Sequence, residues 1–489
     1  MAENNRRTGM KINHNITAVL ANHRLKVTEG NLSNSVNKLS SGYKINSAKD
    51  NPAGFAIAHK MSTQIRGLER ASDNALDGVS AIETAEGALN EVQSMLQRLR
   101  ELAVQSANDT YTQEDREAIQ LEAEKLQEEI ERISKETEFN KKNLLDGSFD
   151  TRAYSDSDGV SASLVSDSVH AGSYQVEITK LAEKTTVKTV VNTSAFGVSE
   201  ASAVEGSIEI NGLSVTISTS ESMEEVYGKI REQAEVVGVN VERNGSVWTF
   251  EAAEYGSEEK VEIKTNSSAL SNALGLNSAT ETKGVDAEIS LVRDDGSANP
   301  SSLFSNTATC SSKGENVKIT DRSGFEMTIK VDNEKYQEIV NSNTASLVGT
   351  NATIDVKDFG YMTLQIGANE DQTMDIRIPE MSLENMGIEN LNYMTHETSS
   401  KAIEAVDNAL AFVSSVRAKL GAYQNRLDHT ISSLDVAGES LTSAYSRIMD
   451  VDMAEEMTTY TQYNVLQQTG VSVLAQANDL PQTVLQLLQ

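Results

Sequence analysis

The chain has 489 residues, enough for more than one domain, yet only 38% are hydrophobic and 5% aromatic, so thin bundles and sheets are expected rather than thick aromatic cores. A formal net charge of −30 would repel a phosphate backbone, which excludes nucleic acid as a partner, and it favours a soluble, acidic surface. The single cysteine, Cys310, excludes an intrachain disulfide and a cysteine-based metal site.

Residues 1–9 are polar and read as a disordered extension, with Met10 offering a second start. The segment lacks an apolar h-region, so it is no secretory signal peptide; a cytosolic protein and export by a signal-peptide-free route both stay open. Ile16, Leu20, Leu32, Val36 and Leu39 follow at helical spacing on a thin apolar face. Such a helix needs a partner to be stable. Residues 40–54 are a break, marked by Gly42, Asp50-Asn51-Pro52 and Gly54.

Phe55, Ile57, Met61, Ile65, Leu68, Leu76 and Val79 open a long helix that ends near residues 108–110. No proline occurs between Pro52 and Pro300, so nothing interrupts it. Its centre, residues 89–105, carries the clearest pattern in the chain. Ile82, Ala85, Leu89, Val92, Leu96, Leu99 and Ala103 are spaced by three or four, with Glu91, Gln97, Arg98, Arg100 and Glu101 on the other faces. So narrow a stripe calls for partner helices, although periodicity alone specifies no more than an amphipathic bundle helix.

Thr112 and Asp115 fit a capping box, behind which Ile119, Ala123, Leu126, Ile130 and Ile133 repeat the spacing to about Thr137. The short link implies an antiparallel helix pair. Residues 143–147 close the segment as a turn, and the Ser-, Asp- and Gly-rich residues 150–173 read as a linker or exposed connection.

The period then changes to alternation. Tyr174, Val176 and Ile178 mark a strand, and Ile208, Ile210, Leu213, Val215 and Ile217 flank Asn211-Gly212 as a hairpin. Ser222 and Glu225 open a short helix with Met223, Val226, Ile230 and Ala234 on one face. Val239, Val241, Val247 and Thr249 flank Asn244-Gly245 as a second hairpin, with Trp248 and Phe250 in the core of this α+β unit. A mostly β unit follows from about Val285: Val317 with Ile319, Met327 with Ile329, Ile354 with Val356, Leu364 with Ile366.

From Lys401 the helical period returns through Ile403, Val406, Leu410, Val413, Leu420, Tyr423, Leu427, Ile431, Leu434, Leu441, Tyr445 and Ile448. That is about 45 residues of stripe, near 70 Å at the α-helical rise. The last segment, 453–489, carries Leu466, Val473, Leu474, Leu485 and Leu488. Helices thus stand at both ends with β-rich material between, and the two ends can bury their stripes on each other. The outermost segments have apolar faces that one chain can hardly satisfy. That implies packing between copies, and a heterologous contact that does not close gives a filament.

Nothing argues for catalysis. The six histidines form no HExxH, and His396-Glu397 lacks the second histidine. GxGxxG, GxxxxGK[ST] and GxSxG are absent. Acidic pairs such as Glu128-Glu129 and Glu224-Glu225 read as solvated faces. No cofactor and no metal is expected. No run of about 18 apolar residues occurs, so no membrane insertion is expected either.

Residues 10–105, with LSSGYKINSAKDNPAGFAIAHKM and LQRLRELAVQSAND, resemble the N-terminal region of bacterial flagellin. Residues 446–488, SRIMDVDMAEEMTTYTQYNVLQQTGVSVLAQANDLPQTVLQLL, are similar to its C-terminal region. Ile210-Asn211-Gly212 with the following helix and hairpin resembles the "IN" motif of flagellins and hook-associated proteins, and residues 173–186 look like strands of filament-cap proteins. The resemblance implies an α+β multidomain chain: terminal coiled-coil helices paired with each other, a helical rod, and β-rich outer domains inserted in the middle. The divisions it implies are residues 10–52 and 453–489 for the inner terminal helices, and 53–149 with 360–452 for the rod and its β-hairpin. Residues 150–280 form an outer α+β domain and 281–359 a second, β-rich one. The terminal packing falls to Ile16, Leu20, Leu32, Val36, Leu39, Leu466, Val473, Leu474, Leu485 and Leu488.

Further implications concern partners. They are an open helical homopolymer at the bacterial flagellum, outside the cell, and unfolded export through a type III apparatus with a chaperone on the C-terminal segment. They also include contacts with filament-cap and hook-associated proteins, and recognition of the free subunit by a host Toll-like receptor. Arg98, Leu102 and Glu122 match the positions read by that receptor; with Gln97 and Glu101 they make the expected receptor and filament interface. Leu126 and Gln489 depart from receptor-active members, many of which carry a basic residue at the first position and some an arginine at the second. Segments like residues 143–149 and 364–381 lie side by side in short flagellins, so residues 150–359 are expected to be one insertion with neighbouring incoming and outgoing strands. A hook–filament junction protein shares the helices, but the LAQAN…VLQLL ending and the insertion favour flagellin. A metallopeptidase insert, which some flagellins carry, needs the missing HExxH. A glycan-bearing or adhesive module would use the Ser/Thr-rich residues 155–173 and 299–312, which equally read as exposed loops.

Overall fold

The computed structural model describes residues 14–157, 159–166, 169–192, 196, 204–218, 221–292, 303–333, 335, 351–357 and 360–487. The expected extension at 1–9 and Leu488 lie outside these, and Leu485 is described only as helix backbone. The protein is an α+β multidomain chain, helical at both ends and β-rich between.

The first three helices are α1 (Ile16–Ser41), α2 (Pro52–Ser106) and α3 (Gln113–Glu136). Their ends follow from the residues there. Asn15 caps α1 by accepting from the Ala18 N–H, and Gly42 stops it in the left-handed region at φ 76°. Pro52 starts α2, where its missing N–H costs nothing. Thr112 and Asp115 form the expected reciprocal box on α3. Hydrogen bonds from the Thr112 hydroxyl and N–H hold the Asp115 carboxyl below its ordinary range, so the cap persists at neutral pH and is lost only as pH falls through that lowered value.

The strands of the middle are β1 (Glu138–Phe139), β2 (Lys142–Asn143), β3 (Arg152–Ser155), β4 (Val160–Val165), β5 (Gly172–Lys180), β6 (Thr186–Val190), β7 (Gly206–Ile210) and β8 (Leu213–Ile217). After α4 (Met223–Val236) come β9 (Val239–Asn244), β10 (Val247–Ala252), β11 (Ile263–Thr265), the short α5 (Ser268–Ala273), β12 (Thr280–Thr282) and β13 (Glu288–Leu291). Then β14 (Thr309–Lys313), β15 (Asn316–Thr320), β16 (Glu326–Val331), β17 (Asn351–Lys357), β18 (Met362–Gln365) and β19 (Thr373–Ile376) lead to α6 (Leu383–Met386), α7 (His396–Met449) and α8 (Met453–Leu487).

Two compact units result, to both of which α2 and α7 contribute residues. The first comprises the described parts of 1–77, 365–373 and 427–489. In it α1 and α8 run antiparallel: the Asn15 side chain donates to the Ala477 carbonyl at 2.8 Å, and the Ser35 hydroxyl to Glu456 at 2.6 Å. Ile45, Ala58 and Met449 form a small core beneath the turn between α1 and α2.

The second unit, Gly78–Leu364 with Met374–Arg426, holds a helical bundle and two modules. All seven stripe residues from Ile82 to Ala103 are fully buried. On α7 the buried row is Ala402, Val406, Ala409, Val413, Val416 and Leu420, so small residues displace the expected Ile403 and Leu410 from the centre of the seam. On α3 the buried row includes Gln127 and Ser134, while Leu126 and Ile133 are only half-buried. Polar side chains are used there because α3 stitches down the irregular segment 387–394. Gln120 donates to the Leu391 carbonyl at 3.1 Å and accepts from the Tyr393 N–H at 2.9 Å, Arg116 donates to the Met394 carbonyl at 3.2 Å, and Gln127 donates to the Ile388 and Glu389 carbonyls.

Residues 150–173 are not a linker. The described ones supply β3, β4 and the first residues of β5, and Val160 and Val169 among them are buried. The sheets β13-β5-β17-β3 and β14-β15-β16-β4 share one core containing Tyr174, Phe304 and Phe325. The strand pairing does not keep the expected division at 280/281: β5 pairs with β13 and β17, so the described residues of 150–182 belong with those of 285–357. The α+β module, sheets β12-β6-β10-β9 and β11-β7-β8 with α4, has a separate core around Trp248 and Phe250 and is inserted into the first module. The β7–β8 turn is Asn211-Gly212 as expected, with both φ positive at 45° and 89°. The β9–β10 turn is displaced by one residue to Gly245-Ser246, because Asn244 pairs with Val247. That register keeps Trp248 and Phe250 on the buried face.

The two modules join where three glycines meet. A Cβ on Gly284 would lie 2.2 Å from the Gly256 carbonyl oxygen and 2.8 Å from that of Glu183, and one on Gly256 would lie 3.0 Å from the Gly314 Cα. Asp286 ties the crossing by accepting from the N–H groups of Ser257 and Gly314 at 3.0 and 2.9 Å. Gly284→Ala is expected to destabilise the modules by about 1–3 kcal/mol. Calorimetry should show a lowered transition for them with the helical signal retained; an unchanged transition would mean that the crossing opens freely.

Candidate interaction surfaces

The narrow stripe of α2 fixes which side chains face out. With Leu96, Leu99 and Ala103 inward, Gln97, Arg98 and Glu101 are exposed. Antiparallel α3 brings Glu122 opposite. Arg98 donates from Nε to Glu122 at 2.8 Å and lies 3.2 Å from Glu101, so both edges of its guanidinium carry a carboxylate. The Glu122 hydrogen bond, then that of Glu101, raises its pKa above the ordinary arginine value. The cluster bears one positive and two negative charges, so it suits a partner that offers a cation to Glu101 or Glu122, or a carboxylate that displaces one of them.

Leu102 does not belong to this surface. It is 1% exposed, three residues beyond Leu99 and beside Ala103 at the edge of the stripe, and that edge is covered in the folded chain. Val104 and Leu121 are the exposed apolar neighbours instead, at 50% and 62%. A second ion pair joins α2 to α7: Arg100 meets Asp407 at 2.6 Å. Arg100 stood out only as a polar-face residue, and no periodicity links it to a carboxylate 307 positions away.

The terminal pair is a surface of another kind. Leu32, Leu39 and Leu474 are half-buried between α1 and α8. Ile16, Leu20, Val36, Leu466 and Val473 are exposed, Ile16 by 69% and Val473 by 49%, together with Val19, Val27, Val465, Val471 and Leu480. Two helices can cover only one side of each other, so the remaining apolar sides form a patch of the sort that marks an interaction site.

A third surface lies where the α+β module meets the bundle. Lys401 pairs with Glu259 at 2.9 Å, Asn390 donates to Glu254 at 2.6 Å, Asn392 donates to the Val236 carbonyl at 2.8 Å, and Gln113 donates to Gln233 at 2.9 Å. The chain enters and leaves the modules side by side: β3 pairs with β17, and Asp150 and Arg377 form a nearly buried ion pair. Among the described residues no group of three His, Cys, Asp or Glu could hold a metal ion, and no helix is long and apolar enough to cross a membrane.

Residues 12–150 match the family described as bacterial flagellin N-terminal helical region, and residues 403–488 match the bacterial flagellin C-terminal helical region. A flagellin of Clostridium tyrobutyricum is 34% identical over 482 residues, covering 97% of this chain and 100% of the relative. The chain belongs to the flagellin family. A B-type flagellin of Pseudomonas aeruginosa is 32% identical, covering 98% of the chain and 100% of the relative, and a flagellin of Salmonella typhimurium is 30% identical, covering 98% and 99%. As a flagellin, the chain is a structural filament protein, not an enzyme.

Burial separates the two kinds of candidate residue in this flagellin. Leu102→Ala should cost about 2–5 kcal/mol of stability, whereas Arg98→Ala should cost less than about 1 kcal/mol because its pairs are solvated. Chemical denaturation of the two variants checks this; equal losses would place Arg98 in the core or Leu102 on the surface.

Proposed function

We propose that the subunit polymerises through the terminal helix pair, each copy covering the apolar sides of α1 and α8 that a single copy leaves open. The observation behind this reading is the row of exposed residues Ile16, Leu20, Val36, Leu466 and Val473 on helices that are otherwise well formed. The contact is heterologous and does not close, so the product is an open filament outside the cell. Filament-cap and hook-associated proteins meet the same surfaces at the filament ends. A chaperone shields the α8 segment before export. Residues 150–359 are carried as an exposed insertion that the polymer does not need.

Elongation from filament fragments, followed by electron microscopy, tests this reading. A chain lacking residues 150–359 should still elongate the seeds, while Leu466→Glu combined with Val473→Glu should not, with α2, α3 and α7 still folded. A deletion chain that stays soluble without assembling, or a double variant that elongates normally, would overturn the proposal.

A second reading concerns the exposed cluster of Arg98, Glu101 and Glu122. On the free subunit it is the surface read by a Toll-like receptor, with Gln97 beside it and buried Leu102 acting only by holding the helix. Arg98→Ala should reduce receptor signalling by about tenfold or more, as loss of a central arginine does at interfaces. Full signalling by that variant would remove the receptor from this face.

A further inference from the structure

The chain contains two Asn-Gly pairs, Asn211-Gly212 and Asn244-Gly245, both at hairpin turns of the same α+β module. Glycine has no Cβ, so its backbone nitrogen can approach the preceding asparagine side chain with little hindrance. The two pairs are held very differently.

Asn211 is half-buried and locked at both ends of its amide. Its Nδ2 donates to the Lys260 carbonyl at 3.0 Å, and its Oδ1 accepts from the Glu262 N–H at 2.8 Å. Its own N–H donates to the Glu262 carbonyl at 2.9 Å. Asn244 is exposed, as are Gly245 and Ser246, and its side chain makes no hydrogen bond among the described residues. The turn is tied through its carbonyls instead: that of Ser246 accepts from the Val191 N–H at 2.7 Å, and that of Gly245 from the Arg243 Nε at 3.4 Å.

We infer that Asn244 is a site of spontaneous deamidation on the folded subunit and that Asn211 is protected from the same reaction. The Gly245 backbone nitrogen attacks Cγ of Asn244 and loses its proton. The Cγ–Nδ2 bond breaks and ammonia leaves, giving a five-membered succinimide. Water then opens the ring at either carbonyl, leaving aspartate or isoaspartate. No oxidant or enzyme is required. At Asn211 the same attack must first break both amide hydrogen bonds, which slows it by roughly tenfold or more.

The products alter the module surface. Each conversion adds one negative charge to a chain already at −30. The new carboxylate stands next in the chain to Arg243, whose guanidinium pairs with Glu224 at 2.6 Å and lies over the Tyr227 ring. Isoaspartate also inserts a methylene into the backbone, which disrupts the Asn244–Val247 pairing that closes the β9–β10 hairpin. Aged subunits therefore carry a more acidic and frayed hairpin end over an intact Trp248 core.

Peptide mapping by mass spectrometry of the full chain held in mildly alkaline buffer tests this. In the folded chain the peptide bearing Asn244 should convert to a mixture of aspartate and isoaspartate, at least about tenfold faster than the peptide bearing Asn211. In denaturant the two should convert at comparable rates, and Asn244→Ser should abolish the native-state conversion. A folded chain in which Asn244 stays intact, or in which Asn211 converts as fast as Asn244, would overturn the inference.

Discussion

The surface that two helices cannot cover governs this structure. α1 and α8 lie antiparallel and share polar anchors at Asn15, Ser35 and Lys38, but each keeps an apolar side facing solvent. Exposed residues such as Val19 at 70% and Val465 at 55% would be unremarkable singly; gathered along α1 and α8 they are an unmet demand for burial. A helix pair with so thin a seam is marginal alone, because helix stability in proteins comes mostly from packing an amphipathic face. On the proposed assembly, folding of the ends is linked to association, and mass action favours the assembled state.

The rest of the chain is built so that the ends can differ from the middle. The bundle closes around Ile82 to Ala103 with no such deficit, and α3 fastens the irregular segment 387–394, with its buried Ile388, Leu391 and Tyr393, by side-chain hydrogen bonds as well. The modules hang on two adjacent strands, β3 and β17, with the Asp150–Arg377 pair at their base. Removing either partner of a nearly buried pair leaves an uncompensated charge, so the connection is specific even though the modules are an insertion. The α+β module rests on residues 390–401 through polar contacts.

Much of this was legible in the residues, and the failures share a cause. The α2 stripe, both capping boxes and the Asn211-Gly212 turn are local signals, and the structure keeps them. The two-residue β1–β2 hairpin was missed because its turn is Asn140-Lys141, whose positive φ values no turn dipeptide announces. Residues 150–173 looked like a linker because alternation with serine and aspartate hides strands whose partners, β16 and β17, lie far along the chain. The nesting of one module inside the other, the burial of Leu102 and the Arg100–Asp407 pair are long-range facts that spacing cannot carry. On the exposed face of α2, resemblance supplied the residues and the structure supplied their pairing, Arg98 held between Glu101 and Glu122.

The most direct test of the central claim is hydrogen–deuterium exchange of the same chain, free and assembled. Amides of α1 and α8 should exchange rapidly in the free subunit and become protected in the polymer, while those of the buried α2 stripe and of α3 stay protected in both. Terminal helices equally protected in the free subunit would show that one chain satisfies its own ends, and would contradict the account.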